Sequence, residues 1–466
     1  MRMTTRPSDP TTPLPLSRFP ADFVWGASTA AYQIEGAAEE DGKGPSVWDT
    51  FVRRPGAVRD GHTGAVACDH YHRFDEDVAL MRRLGLDAYR FSISWPRILP
   101  SGSGRVEPRG LDFYDRLVDA LLAAGIEPTP TLFHWDLPQA LEDEGGWLAR
   151  DTAYRFGEYA AVVAERLGDR VRRWITLNEP FVHMSFGYGY GVHAPGRALL
   201  LDAVPVAHHQ LLGHGLAVAA IRAAAGAGAE VLIANNCSPV RLRSDADSVA
   251  DRLAADAYDT LHNRLFNDPL LTGRYPDLSA YGLTDPGWGG IVRDEDLKVI
   301  SAPLDGLGIN YYNPSWIATS ADPSSGLPFD LVEPQQAYRR TAFDWPVVPD
   351  GLTELLLGLR ARYGEALPPI WITENGCSEP AGLDDAARVD YLAGHIRAVA
   401  EARAQGVDVR GYFTWSLLDN FEWAEGYHQR FGLVEVDFAT QARTPRASFE
   451  WYRALIASQK SPKRQS

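Results

Sequence analysis

Two glutamates stand at the ends of apolar, β-branched runs, each followed at once by turn residues. They are Glu179 in Trp174-Ile175-Thr176-Leu177-Asn178-Glu179-Pro180 and Glu374 in Ile370-Trp371-Ile372-Thr373-Glu374-Asn375-Gly376. Glutamate is depleted from strands, so finding it twice where a buried run meets open loop is unusual. Either one alone could be a strand-end charge facing water. Together they form a pair of carboxylates that could act jointly if the fold brings both to one rim.

Delivering both side chains to one pocket requires strands that end on a common face. Short β-rich runs alternate with long amphipathic or Ala-rich stretches, the pattern of parallel strands joined by crossover helices. Eight runs fit: 23–26, 88–94, 128–133, 173–177, 231–235, 304–309, 370–373 and 411–415. Helices are predicted over 74–84, 111–124, 152–167, 203–225, 248–266, 352–363 and 384–405. Eight is the number that closes a barrel, so the expected fold is α/β, a single (β/α)8 TIM barrel with extended rim loops. Polar and aromatic residues follow each run, among them Gln33, Trp95, His134, Asn178, Asn235, Asn236, Asn310, Tyr312 and Trp415, and barrel closure would gather them on one face.

No repeat, low-complexity block or Gly/Ser linker divides the 466 residues, and the stretch 314–349 reads as a long rim loop. The expected organisation is a flexible lead-in over 1–18, one catalytic barrel over 19–458 and a basic tail over 459–466 that frays. The lead-in lacks the apolar core of a signal peptide, and no run approaches membrane-spanning length, so a soluble cytoplasmic protein is expected. The formal charge of -16 disfavours nucleic acid and anionic membrane as partners and suits a neutral substrate. Thirteen Trp, 19 Tyr and 18 Phe supply aromatic faces suited to sugar rings, although most must be core.

Cys68, Cys237 and Cys377 are odd in number and far apart, which argues against a disulfide framework and for a reducing compartment. Cys377, three residues after Glu374, could be a reactive thiol but reads better as a small buried filler. Cys68-Asp69-His70-Tyr71-His72 looks superficially like a metal site, but no second ligand cluster lies at zinc spacing, and no metal is expected.

These motifs, in this order, resemble glycoside hydrolase family 1, the β-glucosidase family, from Phe19 to about Tyr452. The resemblance is carried by Phe23-Val24-Trp25-Gly26-Ala27-Ser28-Thr29-Ala30-Ala31-Tyr32-Gln33-Ile34-Glu35-Gly36, Tyr89 to Ile98, Phe133-His134-Trp135-Asp136-Leu137-Pro138 and Thr176 to Pro180. It continues through His193-Ala194-Pro195-Gly196, Asn310-Tyr311-Tyr312, Ile372 to Gly376 and Trp415 to Trp423. It implies a retaining, exo-acting enzyme that acts on β-glucosides and short β-linked oligosaccharides, β-D-fucosides and β-D-galactosides included, in cellulose degradation and without a cofactor. Glu179 would be the acid/base and Glu374 the nucleophile, about 5 to 5.5 Å apart. Arg90, Asn310 and Tyr312 would support them, with Arg90 and Tyr312 favouring the charged form of Glu374. Gln33, His134, Asn178, Glu422 and Trp423 would hold ring hydroxyls over Trp415 as floor. His183, Asn235, Trp345, Tyr427 and Phe431 are outer-subsite candidates. Oligomeric state stays open.

Two departures from the family pattern fall around this outer region, Phe181 where Trp is common and Cys377 where a small residue is usual. A 6-phospho-β-glycosidase is the nearest alternative, but such relatives carry Ser, Lys and Tyr where this chain has Trp423, Gln429 and Phe431. Without the Lys, a phosphate would meet Glu422 uncompensated. A non-catalytic sugar-binding barrel would normally have lost one glutamate, and a phosphate-binding metabolic barrel would carry a Gly-rich loop where Trp415 to Trp423 is aromatic and acidic.

Overall fold

The computed structural model describes residues 19–243, 248–285, 287–322 and 326–460. The expected lead-in, 1–18, and residues 461–466 of the expected tail lie outside the described residues. Eight strands close a barrel: β1 Val24–Ser28, β2 Ala88–Ser92, β3 Glu127–Phe133, β4 Arg173–Asn178, β5 Glu230–Asn236, β6 Gly306–Asn310, β7 Ile370–Asn375 and β8 Val409–Trp415. Each strand pairs in parallel with its sequence neighbours, and β8 pairs with β1 to complete the ring. Helices cover the outside, so the strands are buried on both faces, which explains their near-continuous apolar composition.

Side chains along a strand alternate between barrel interior and helix shell. Ala88, Ile175, Leu232, Ala234, Trp371 and Phe413 pack together in the interior, whereas Val231 and Ile233 join the outer core. At the lower end the Arg173 guanidinium lies 3.8 Å from the Trp371 ring centroid and pairs with Glu127 and Glu230, which plugs the barrel opposite the two glutamates.

The expected helix over 248–266 is divided. Ser248 caps its start, with Oγ accepting from Asp251 N at 3.0 Å, and the α-helix runs Val249–Asp259. A wide turn with i to i+5 bonding follows over Thr260–Arg264, and Leu265–Thr272 then resumes α geometry around Pro269. Such a π-bulge inserts one extra residue and re-aims the side chains that it carries.

Several described elements exceed the expected ones, among them a small sheet and a helix after the last barrel strand. The rim loop 314–349 contains strands Ser315–Thr319 and Phe329–Leu331, which form a small sheet with Val240–Leu242. A helix, Ala447–Lys460, packs on the outside, and Tyr452 Oη donates to the Gly26 carbonyl at 3.0 Å. Among the described residues no helix is long and apolar enough to cross a membrane.

Candidate active site

Asn178 is the last residue of β4 and Glu179 follows it. Pro180 disfavours right-handed helical backbone at the residue before it, and Glu179 takes φ 46°, ψ 60°. That left-handed placement costs a non-glycine residue about 1–2 kcal/mol. Its backbone N–H is held by the Ala234 carbonyl on β5 at 2.8 Å, and its Oε1 accepts from Asn310 Nδ2 at 2.9 Å.

Glu374 ends up three strands away on β7, paired in register with Asn310 on β6. Arg90 Nη1 donates to its Oε1 at 2.7 Å and Tyr312 Oη donates to its Oε2 at 2.8 Å. Arg90 is itself fixed by Thr131 Oγ1, the Thr373 carbonyl and Asn178 Oδ1 at 3.1, 2.9 and 2.6 Å. Asn310 is pinned from behind by Thr373 Oγ1, which donates to its Oδ1 at 2.7 Å. Asn310 bonds Glu179 and lies in register with Glu374 on the neighbouring strand, so it stands where the two glutamates meet.

The two carboxyls have different surroundings. Burial, reinforced by the negative charge of Glu374, pushes the Glu179 carboxyl up to about 8, against opposing help from Asn310, Arg90 and Asn236. Burial raises Glu374 too, but the Arg90 guanidinium and the Tyr312 hydroxyl oppose it directly. A proton shared by the pair therefore resides on Glu179, which leaves one carboxylic acid beside one carboxylate. Such a pair can protonate one atom of a bound molecule while attacking another.

A polar and aromatic cup adjoins the pair. Glu422, pushed up to about 8 by burial, accepts at Oε2 from Gln33 Nε2 at 3.2 Å and Asn420 Nδ2 at 3.1 Å. Gln33 Oε1 is buried and has no partner, so it is an acceptor open to a ligand hydroxyl. Asn178 Nδ2 donates to His134 Nε2 at 3.0 Å, so the neutral His134 ring carries its proton on Nδ1. Burial and the nearby Arg90 hold that ring well below the usual histidine range. His134 stacks between Trp415 and Trp423 at 5.8 and 5.9 Å, and Trp48 and Trp135 back Trp423 at 4.6 and 4.7 Å.

The outer-subsite candidates divide. Trp345 and Phe431 lie with Tyr312 and Phe343 in the aromatic cluster that includes Trp415, so they adjoin the pocket. Asn235 does not: by strand alternation it faces the helix shell, where its Nδ2 donates to Asn267 Oδ1 at 2.7 Å. His183 is packed between Phe133 and Tyr188 and, pushed down to about 3 by burial, is a core histidine. Tyr427 points away, its hydroxyl donating to the Thr63 carbonyl and its ring against Phe438. Asn236, one residue beyond Asn235, faces inward beside Asn310 and reaches Glu179. The sequence named it only as a strand-end residue, and the parity of β5 was the signal that could have promoted it.

Cys377 is fully buried, and burial pushes its thiol up to about 12, so it is not a reactive thiolate. His70 and His72 are occupied by Asp77, Asp69 and Glu40 and serve as structural partners. Among the described residues Asp60, His62 and His428 bring ligand atoms within 4.8 Å of one another. A ring nitrogen of each histidine is already engaged there, His428 with Asp60 and His62 with the Tyr427 N–H.

The family model described as "Glycosyl hydrolase family 1" matches residues 16–461. The thermostable beta-glucosidase B of Thermobispora bispora is 49% identical over 452 residues, 94% of this chain and 90% of that protein. The bifunctional beta-D-glucosidase/beta-D-fucosidase of Bifidobacterium breve is 45% identical over 465 residues, 94% of this chain and 98% of that protein. Among solved structures, the beta-glucosidase from Thermotoga maritima in complex with glucoimidazole superposes with a TM-score of 0.89 at 41% identity. It covers 95% of this chain and 100% of its own.

Proposed function

Because the chain belongs to glycosyl hydrolase family 1, we propose that it is a retaining, exo-acting β-glucosidase that removes terminal β-D-glucosyl residues by double displacement. The observation that carries the role assignment is the division of partners, with a guanidinium and a phenol on Glu374 and a neutral amide on Glu179. In the first step Glu374 attacks the anomeric carbon and the bond to the leaving oxygen breaks, while Glu179 gives that oxygen its proton. The ester so formed removes the charge of Glu374 and with it a cause of the raised pKa of Glu179. Glu179 can then take a proton from the water that opens the ester, and two inversions give retention.

In this reading Gln33, His134, Asn178, Glu422 and Trp423 hold the ring hydroxyls, Asn178 the one on C2, over Trp415 as floor, and the open acceptor at Gln33 Oε1 supports it. A Glu422 that holds a proton can donate to a hydroxyl as well as accept from one. The name of the Bifidobacterium breve relative supports fucosides as further substrates, and galactosides belong to the same proposal. Short β-linked oligosaccharides from cellulose degradation belong to the same proposal as a source of glucosyl groups. The three buried, unpaired cysteines support residence in a reducing, cytoplasmic compartment.

The test is kcat/KM without added metal for aryl β-D-glucoside, fucoside, galactoside and glucoside 6-phosphate. Preference for the unphosphorylated sugars is expected. Turnover of the phosphate alone would overturn the reading of Glu422 and Trp423, and no turnover would leave a non-catalytic sugar-binding barrel.

A further inference from the structure

Behind Glu179 lies a hydrogen-bonded chain that the double displacement does not use. His262 sits on the π-bulge Thr260–Arg264, and its ring is turned to the strand end, with Nε2 2.8 Å from Asn236 Oδ1. An amide oxygen only accepts, so Nε2 carries the ring proton and Nδ1 is bare. Tyr258 Oη lies 2.7 Å from Nδ1 and donates to it, while Ser315 Oγ, 3.0 Å from the same Oη, donates in turn. Phe181, two residues after Glu179, lies flat on the His262 ring at 4.0 Å and 13°. The loop that carries Glu179 is thus tied to His262 by a stack, and His262 holds the Asn236 amide, which lies in register with Asn310 and helps hold the Glu179 carboxyl down.

With Asn236 Oδ1 committed to His262, the NH2 end of that amide is the one left to face Glu179. We propose that His262, oriented by Tyr258 and clamped by Phe181, is a positioning residue that fixes the Asn236 amide toward Glu179 and so sets how firmly Glu179 holds its proton. The proposal rests on Glu179 as the acid/base.

The groups that bear on Glu179 are Glu374 from β7, Arg90 from β2, Asn310 from β6 and Asn236 from β5, with Tyr312 and Cys237 farther out. His262 itself faces Asp259, whose carboxylate is occupied by Arg362 at 2.7 Å and Asn263 at 2.7 Å. Burial pushes His262 down to about 4, so it stays neutral through the working range and acts by orientation, not by its own charge. Donation from Asn236 favours ionised Glu179, so freeing that amide raises the pKa of Glu179.

The experiment is the pH dependence of kcat/KM for an alkyl β-glucoside in wild type, His262→Leu, His262→Gln and Tyr258→Phe, with Glu179→Ala as control. His262→Leu should move the basic limb up by about half to one pH unit, the size of one modest hydrogen bond. His262→Gln, which keeps a donor for Asn236, should restore the limb. Tyr258→Phe should give a smaller shift in the same direction and keeps the test open if His262→Leu does not fold. A basic limb unmoved in Tyr258→Phe and in any folded His262→Leu would overturn the proposal. Equal losses in Glu179→Ala for good and poor leaving groups would overturn the acid/base assignment instead.

Discussion

Of the three carboxyls in this pocket, one has a guanidinium partner. Arg90 touches Glu374 directly, whereas Glu179 and Glu422 have neutral donors and are pushed up to about 8. If Glu179 is the proton donor, Glu179→Ala should lose roughly 10²- to 10⁴-fold in kcat/KM for alkyl glucosides, whose leaving oxygen needs a proton. It should lose far less with dinitrophenyl glucoside, and comparable losses with both would remove Glu179 from that role. The raised pKa also has a stability consequence. Glu179 binds a proton in the native state at pH values where the unfolded chain, with a carboxyl near about 4.3, does not. Its contribution to stability is therefore present below about 4.3 and lost as pH rises through about 8. Glu179→Gln should match wild type in Tm near about pH 4 and exceed it by roughly 2 degrees near about pH 8. Calorimetry across that range checks this, and parallel curves would contradict it. At this scale the two carboxylates and their immediate supports could be read as candidates from residue type and place. Asn236 was legible only as one of two consecutive asparagines at a strand end, because composition does not distinguish them and the parity of β5 alone puts Asn236 inward and Asn235 outward.

Strand ends, not strands, do the positioning. Gly376 follows β7, where a Cβ would sit 1.7 Å from the Trp415 carbonyl oxygen at the end of β8, a contact with rigid backbone. Gly376→Ala should therefore push the ends of β7 and β8 apart, costing about 2 kcal/mol or more. It should also lower kcat/KM by up to about 10²-fold through displacement of Glu374 and Trp415. Chemical denaturation and kinetics on one preparation would show both, and an unchanged midpoint would contradict the close approach. All eight barrel strands were legible because parallel strands buried on both faces leave apolar runs of the right length. Their ends were less legible, since β7 continues through Asn375, two residues past the apolar run, held by hydrogen bonds the pattern does not encode. The π-bulge over Thr260–Arg264 was invisible for a similar reason. An extra residue in a helix leaves no mark in a short stretch of amphipathic spacing, yet it aims His262 at Asn236. The helix Ala447–Lys460 carries Phe449, Tyr452 and Ile456 at helical spacing, but it follows the eighth strand and so lies outside the alternation of strand and crossover helix that marks the barrel.

Across the whole molecule, chemistry and stability occupy opposite ends of the barrel. Arg173 and Trp371 close the lower end, and the upper end gathers Glu179 from β4 with Glu374 from β7. A closed ring of eight parallel strands lets residues 195 positions apart in sequence meet without a loop having to hold them. The most direct test of the central claim uses a 2-fluoro β-glucoside with a dinitrophenyl leaving group, which slows release of a covalent intermediate, followed by mass spectrometry of the digested protein. The account predicts one fluoroglucosyl group per chain, on the peptide that contains Glu374, and β-glucose as the first product from an ordinary substrate. A label on any other carboxylate, or no label with α-glucose as first product, would contradict it.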